Sequence, residues 1–274
     1  MGKSETQFRG FKKRAAQYPK PGEMGGRLIR RVIAFLRERS VDLPIASHIL
    51  IAHSGGSDST ALAHLLLKYG RRLVAPENIG ILHVNHGWRG EASSQDEEFV
   101  RGFAEEFGVP FSAFRVEPPT SYEPGRSWEE AARSLRKEVF RTEAAQKGAW
   151  IMTAHQMDDL AETVLWRILT GAAETHGGGI AFRHGPEIRP LLGVRKSELL
   201  EYLKEEGRSF RSDATNDEER FLRAKMRRRV FPEIEALFPR AVENLAQLGF
   251  DAQFQEGEAF VSRALLGASG LRRS

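Results

Sequence analysis

The 274-residue chain carries 41 Lys and Arg against 37 Asp and Glu, a formal net charge of +4, and no cysteine. The missing thiols exclude disulfides, thiolate zinc sites, iron–sulfur clusters and any persulfide carrier of sulfur. No apolar run approaches the roughly 18 residues of a membrane helix. The basic N-terminus lacks the apolar segment of a secretory signal, so a cytoplasmic address is expected.

Residues 1–24 mix Pro, Gly and scattered charge without periodicity and read as a basic tail or linker. Leu28, Val32, Phe35 and Leu36 then share one face and predict a helix over about 26–39. Strands are expected near 48–53, 78–85, 111–117 and 149–154, with helices near 59–69, 93–107, 128–146 and 157–170. A short apolar strand is expected at 187–192. This alternation predicts an α/β fold, a doubly wound parallel sheet whose ligands lie beyond the carboxyl ends of the strands. From about 197 helices take over, at 197–206, 218–237 and 240–265. A boundary near 195 then separates a catalytic domain, 25–195, from a small helical C-terminal domain, 196–274.

The first strand breaks into Ser54-Gly55-Gly56-Ser57-Asp58-Ser59 and a helix. Glycines that permit positive φ, three hydroxyls and the orphan N–H groups of a helix start make a nest for phosphate. Asp58 can hold Mg²⁺ beside the anion. The loop lacks the Lys-Ser/Thr pair of a Walker A sequence and is no GxGxxG fingerprint. A plain Ser/Gly turn capping a helix is the bland alternative.

His83-Val84-Asn85-His86 ends the second strand, with Arg89 shortly after, and Ala154-His155 ends the fourth. All three motifs should therefore converge on one crevice, although a His at a strand end is more often a packed or capping residue. Ser127 and Glu130 fit a capping box. Arg133, one turn on, suits either a phosphate or a solvated helix face. His155, Asp159 and Glu162 follow i, i+4 and i+7 spacing and should share a face at a helix start. Such a cluster can hold a cation, a metal or an ammonium group, or simply complement the helix dipole. Residues 220–229 form a dense basic run. There Leu222, Met226 and Val230 should form a buried stripe, while Arg220, Arg223 and Arg227 present another face to a phosphate-rich partner.

SGGSDS resembles the PP-loop of the ATP pyrophosphatases. The full order SGGSDS, HVNHGWR, SWEEAAR, AHQMDDLAET, RPLLGVRKSEL and DATNDEERFLRAKMRRRVFP resembles the tRNA(Ile)-lysidine synthetases over roughly residues 48–240. That resemblance implies ATP and Mg²⁺ as cofactors. It implies free lysine and the isoleucine tRNA with a CAU anticodon as partners. ATP would be bound by Ser54, Gly55, Gly56, Ser57, Asp58, Ser59, His83 and Asn85. Asp58, Arg89, Arg133, His155, Asp159 and Glu162 would be catalytic. Asp159 and Glu162 would grip lysine, and Arg220, Arg223 and Arg227 would contact tRNA. The chain departs from the family at His53, where a small or aliphatic residue is usual, in the acidic stretch 170–179, and at Ala224, where Asn is expected. It reads as a short form without an extended C-terminal domain. Two rival readings are a PP-loop ligase for a small acceptor and a nucleotide sensor that transfers nothing.

Overall fold

The computed structural model describes residues 23–39, 41, 43, 47–85, 87, 90–116, 128–172, 179–211 and 222–253. The expected basic tail therefore lies almost wholly outside the described residues, as do Arg89, Arg220 and most of the 170–179 stretch.

Helix α1 (Met24–Glu38) opens the described chain and buries Leu28, Ile29, Val32, Phe35 and Leu36 on one face. The alternation that follows is β1 (His48–Ala52), α2 (Ser57–Tyr69), β2 (Ile79–Asn85), α3 (Glu91–Phe107), β3 (Phe111–Arg115), α4 (Trp128–Lys147), β4 (Ala149–Met152) and α5 (Met157–Leu169). A two-residue hairpin, β5 (Arg183–His184) and β6 (Glu187–Ile188), precedes α6 (Lys196–Glu205). The sheet order is β3-β2-β1-β4-β6-β5. Every pairing is parallel except that of β5 with β6. The expected strand at 187–192 is thus only its first two residues, and β5 beside it was not foreseen. At Arg189 the chain leaves the sheet for a turn.

The pleat explains the two-sided core. Ile49 and Ile51 point to the layer built by α1, α2, α3 and α6, whereas Leu50 and Leu82 meet Phe140 and Ala144 of α4 on the opposite face. A strand covered on both faces has no polar side to alternate, hence the unbroken Ile49-Leu50-Ile51-Ala52. In α2, Leu62, Leu65 and Leu66 are completely buried, each contributing about 1.5–3 kcal/mol by area. Leu199, Tyr202 and Leu203 of α6 lie in the same core. Packing therefore runs continuously across residue 195. No helix among the described residues is long and apolar enough to cross a membrane.

α1 sits so close to α2 that a Cβ on Gly25 would lie 2.2 Å from Cε2 of Tyr69. Tyr69 cannot swing away freely, because its hydroxyl donates to Glu206. Gly25→Ala should therefore destabilise by about 1–3 kcal/mol despite the better helix propensity of alanine. Urea unfolding midpoints measure this, and an unchanged or higher midpoint would refute it.

Beyond α6, α7 (Leu222–Lys225), a wide turn at Met226–Val230, α8 (Phe231–Leu237) and the helical residues 241–253 form the C-terminal layer. Met226, Phe231 and Val242 pack with Ala161 of α5.

Candidate active site

β1 and β4 are neighbours, yet the chain leaves them toward opposite edges of the sheet. Crevices at such switch points are where doubly wound sheets bind ligands. The SGGSDS loop follows β1, and the AHQMDD segment follows β4.

The loop is folded on its own hydroxyls. The Ser54 amide donates to Ser59 Oγ at 3.2 Å, and the Gly56 amide to Ser54 Oγ at 3.4 Å. Gly55 has φ +92°, a region that disfavours any side chain. Ser57 opens α2 with Gly56 at its cap, so the first amides of the helix have no carbonyl partner within it and face the loop mouth. His53 shapes the loop from beneath. Its Nδ1 accepts the Gly55 N–H at 3.0 Å, which requires a neutral ring with its proton on Nε2. Burial, reinforced by His83, depresses its pKa to about 3. Its Nε2 is buried without a hydrogen-bond partner, and the ring meets Phe103 edge-on.

His83 and Asn85 lie at the end of β2 as expected, and both have structural partners. His83 Nδ1 donates to the His53 carbonyl at 2.8 Å. Asn85 donates to Ser93 O and Glu97 Oε2, and its own oxygen accepts the Gly87 N–H.

Sequence reasoning missed two cations. Lys196 Nζ reaches both Asp58 oxygens, at 2.7 and 2.8 Å, and Ser57 Oγ at 3.0 Å. It stands 138 residues from Asp58 in the chain, and no local spacing announces such a pairing. Arg195 grips Asp158 through Nε and Nη2 and also reaches Glu235 and Glu243. These partners outweigh its burial and raise its pKa. Arg195 thus ties the starts of α5 and α6 to the C-terminal layer.

His155 is not in the helix. Gln156 is the N-cap, accepting the Asp158 and Asp159 amides, while Asp159 Oδ2 accepts the Gln156 N–H at 3.1 Å. Asp159 and Glu162 do lie on α5 at i, i+3, and His155 precedes them in extended chain. Burial, with Asp58 and Glu162 adding, raises the Asp159 pKa to about 6, against the opposing Gln156 N–H and Arg227. His155 is driven down to about 3, first by burial and then by Arg189, Arg136 and Arg133. Arg133 is exposed on α4, yet it belongs to this cationic group around His155. Arg189 is buried against Glu187 at 2.9 Å, with its Nε unpartnered.

Of the three arginines expected on the basic face, Arg220 and the Arg223 side chain lie outside the described residues. Arg227 is exposed, but its guanidinium reaches back to the α5 carboxylates. Its Nε and Nη2 each lie 2.7 Å from a Glu162 oxygen, and Nη2 lies 3.7 Å from Asp159. The buried stripe fails at both ends, because Leu222 is 66% and Val230 42% exposed, and only Met226 is buried. The wide turn at Met226–Val230 adds a residue to the helical repeat and breaks the expected register.

Among the described residues no group of three or more His, Cys, Asp or Glu is placed to hold a metal. Asp58 fits Mg²⁺ in a different way, as a single carboxylate beside a phosphate nest, where the ion would have to exchange with the Lys196 ammonium that contacts both its oxygens, or share them with it. A single carboxylate suits an ion that brings most of its oxygen ligands on a triphosphate.

A PP-loop domain family model matches residues 27–234. The tRNA(Ile)-lysidine synthase of Thermus thermophilus is 39% identical over 223 residues, covering 81% of this chain and 42% of that protein. The synthase of Chlorobaculum tepidum is 39% identical, covering 69% and 57%, and that of Geobacter sulfurreducens is 33% identical, covering 86% and 50%. The chain spans about half the length of these curated relatives. Among solved structures, the U34-tRNA thiolase NcsA from Methanococcus maripaludis superposes with a TM-score of 0.68 at 16% identity, over 84% of this chain and 79% of that one, a likeness of fold. With the loop, the β4–α5 segment and the relatives in agreement, the chain belongs to the tRNA(Ile)-lysidine synthetase family of PP-loop proteins.

Proposed function

We propose that this chain ligates free lysine to carbon two of the wobble cytidine in the isoleucine tRNA with a CAU anticodon, consuming ATP and giving AMP and pyrophosphate. The product, lysidine, pairs with adenine and moves decoding from AUG to AUA. The observation that carries this reading is one crevice holding a phosphate nest, at Ser54–Ser59, and a carboxylate pair suited to an amine, Asp159 and Glu162. Asp58 is near enough to Asp159 to raise its pKa.

In the first step the cytidine O2 attacks the α-phosphate of ATP and pyrophosphate leaves. The loop amides and hydroxyls and Lys196 stabilise charge on the departing pyrophosphate. Asp58 would hold Mg²⁺, which adds charge neutralisation at the same oxygens. Arg133, one of the cationic groups around His155, would neutralise charge on the α-phosphate, a role also proposed for Arg89, which lies outside the described residues. In the second step the ε-nitrogen of lysine attacks carbon two and AMP departs. A lysine ammonium has a pKa of about 10.4 and must lose a proton to react. Asp159, with a pKa of about 6, suits that acceptance better than His155 at about 3. Glu162 holds the charge of the amine. The tRNA backbone runs over the basic 220–229 segment, with the base splayed from its stack.

The test supplies ATP, Mg²⁺, labelled lysine and unmodified transcript, with a parallel transcript carrying uridine at the wobble position. Label entering only the cytidine transcript, with AMP and pyrophosphate released, is the expected result. Pyrophosphate released without tRNA would point instead to a ligase for a small acceptor.

A further inference from the structure

We infer that His53 is a positioning residue for the phosphate loop, its imidazole holding the Gly55 N–H inward so that the loop has its binding shape before any nucleotide arrives. This rests on the reading of Ser54–Ser59 as the nest for the pyrophosphate of ATP. Gly55 is held at both of its backbone polar atoms. Its N–H donates to His53 Nδ1 at 3.0 Å. Its carbonyl accepts the Arg211 N–H at 2.9 Å and the Thr60 hydroxyl at 3.3 Å. The Gly55 amide is thus withdrawn from any phosphate, and the donors left for one lie beyond it, at the start of α2. A small or aliphatic residue, the usual occupant of position 53 in the family, has no acceptor to offer that amide.

The imidazole is itself fixed. The His53 N–H donates to Leu82 O at 2.9 Å, and its carbonyl accepts from His83 Nδ1, which ties the end of β1 to β2. The ring stands edge-on to Phe103 and Phe99, with centroids 5.0 and 6.4 Å away. Turning the ring over would put a carbon against Gly55 and leave a buried N–H unanswered. Nδ1 also lies 3.3 Å from Ser59 Oγ, the atom that accepts the Ser54 N–H, so the ring braces both ends of the loop. Nε2 finds no partner in its apolar surroundings. An imidazole with one nitrogen unanswered is a poor filler for an apolar site, and the contact that justifies it is the one made to the loop.

Leucine and asparagine at position 53 separate the hydrogen bond from the packing. Both are shorter than histidine and leave a similar space beside Phe103. The asparagine Oδ1 stands where Nδ1 stood and accepts the Gly55 N–H, whereas a leucine methyl there accepts nothing. Titration calorimetry of ATP with Mg²⁺ into the whole chain, without tRNA, compares wild type, His53→Leu and His53→Asn, and far-ultraviolet dichroism checks that each is folded. If loss of the bond leaves the held loop in about one-tenth of the molecules, His53→Leu should bind ATP about tenfold more weakly. His53→Asn should stay within about threefold of wild type. Magnesium pyrophosphate should give the same order. AMP lacks the two phosphates assigned to the loop and should not separate the two variants. His53→Ala repeats the comparison with no side chain that could clash, should His53→Leu not fold. Equal ATP affinity in wild type and the folded apolar variant, or an equal loss in that variant and His53→Asn, overturns the positioning role. So does an AMP difference as large as that for ATP, which would mean damage to the whole site. If wild type binds neither ATP nor pyrophosphate, the nest reading itself falls, and the role of His53 with it.

Discussion

Lys196→Met should slow pyrophosphate release by about 100- to 1,000-fold while changing the apparent affinity for ATP far less. The side chain keeps its length and loses its charge, so packing at the start of α6 is largely preserved. What disappears is the cation held 2.7 Å from Asp58 Oδ1 and 3.0 Å from Ser57 Oγ at the mouth of the phosphate nest. Asp58 alone repels a triphosphate. With Lys196, and with an Mg²⁺ ion on the substrate, the region becomes net positive where negative charge grows as pyrophosphate departs. An interaction that strengthens toward the transition state appears in kcat rather than KM. Lys196→Arg should recover part of the rate, because the charge returns with a different shape. Rates of pyrophosphate release with saturating unmodified tRNA measure the effect. A Lys196→Met enzyme that releases pyrophosphate at the wild-type rate would remove Lys196 from the chemistry.

Much of the scaffold was legible because its signals are local. Continuous apolar strands, leucines at helical spacing and a Ser-Gly-Gly break placed β1, α2 and the loop within a few residues. The 3.6-residue period misled in two places. It joined His155 to Asp159 and Glu162 on one helix, but the Gln156 side chain caps the helix and leaves His155 outside it. It also drew a stripe through Leu222, Met226 and Val230, which a single wide turn dissolves. Hairpin β5–β6 is too short for any alternation to register. Lys196 and Arg195 were illegible as site residues, and the carboxylate partner of Arg227 was illegible too, for another reason. Their partners are 138, 37 and 65 residues away, and charge complementarity over such distances leaves no pattern in the sequence. The sequence therefore offers charged residues of both signs, and the structure shows which of them pair with one another.

Acid should unfold this protein early. His53 and His64 are 1% exposed, and burial leads the causes that bring their pKa values down to about 3 and about 4. His155, less deeply placed, is also held at about 3. A histidine with its folded pKa below the ordinary value of about 6.5 supports the fold fully above that value. The support is lost as pH falls from there toward the folded pKa, because the unfolded chain binds the proton first. At roughly pH 5 each fully buried imidazole forfeits about 2 kcal/mol relative to neutral pH. Asp159 acts in the opposite sense. Its raised pKa, about 6 against an ordinary 3.8, returns stability as pH falls through that window, by about 1 kcal/mol at roughly pH 5. The histidines outnumber it, so the net loss should be a few kcal/mol, a large part of a typical total of about 5–15 kcal/mol. Urea midpoints taken between roughly pH 7 and pH 5 should fall steadily, and the imidazole resonances of these three histidines should not titrate above pH 5 while the fold persists. A midpoint that holds level or rises across that range would mean that the buried histidines are not held neutral.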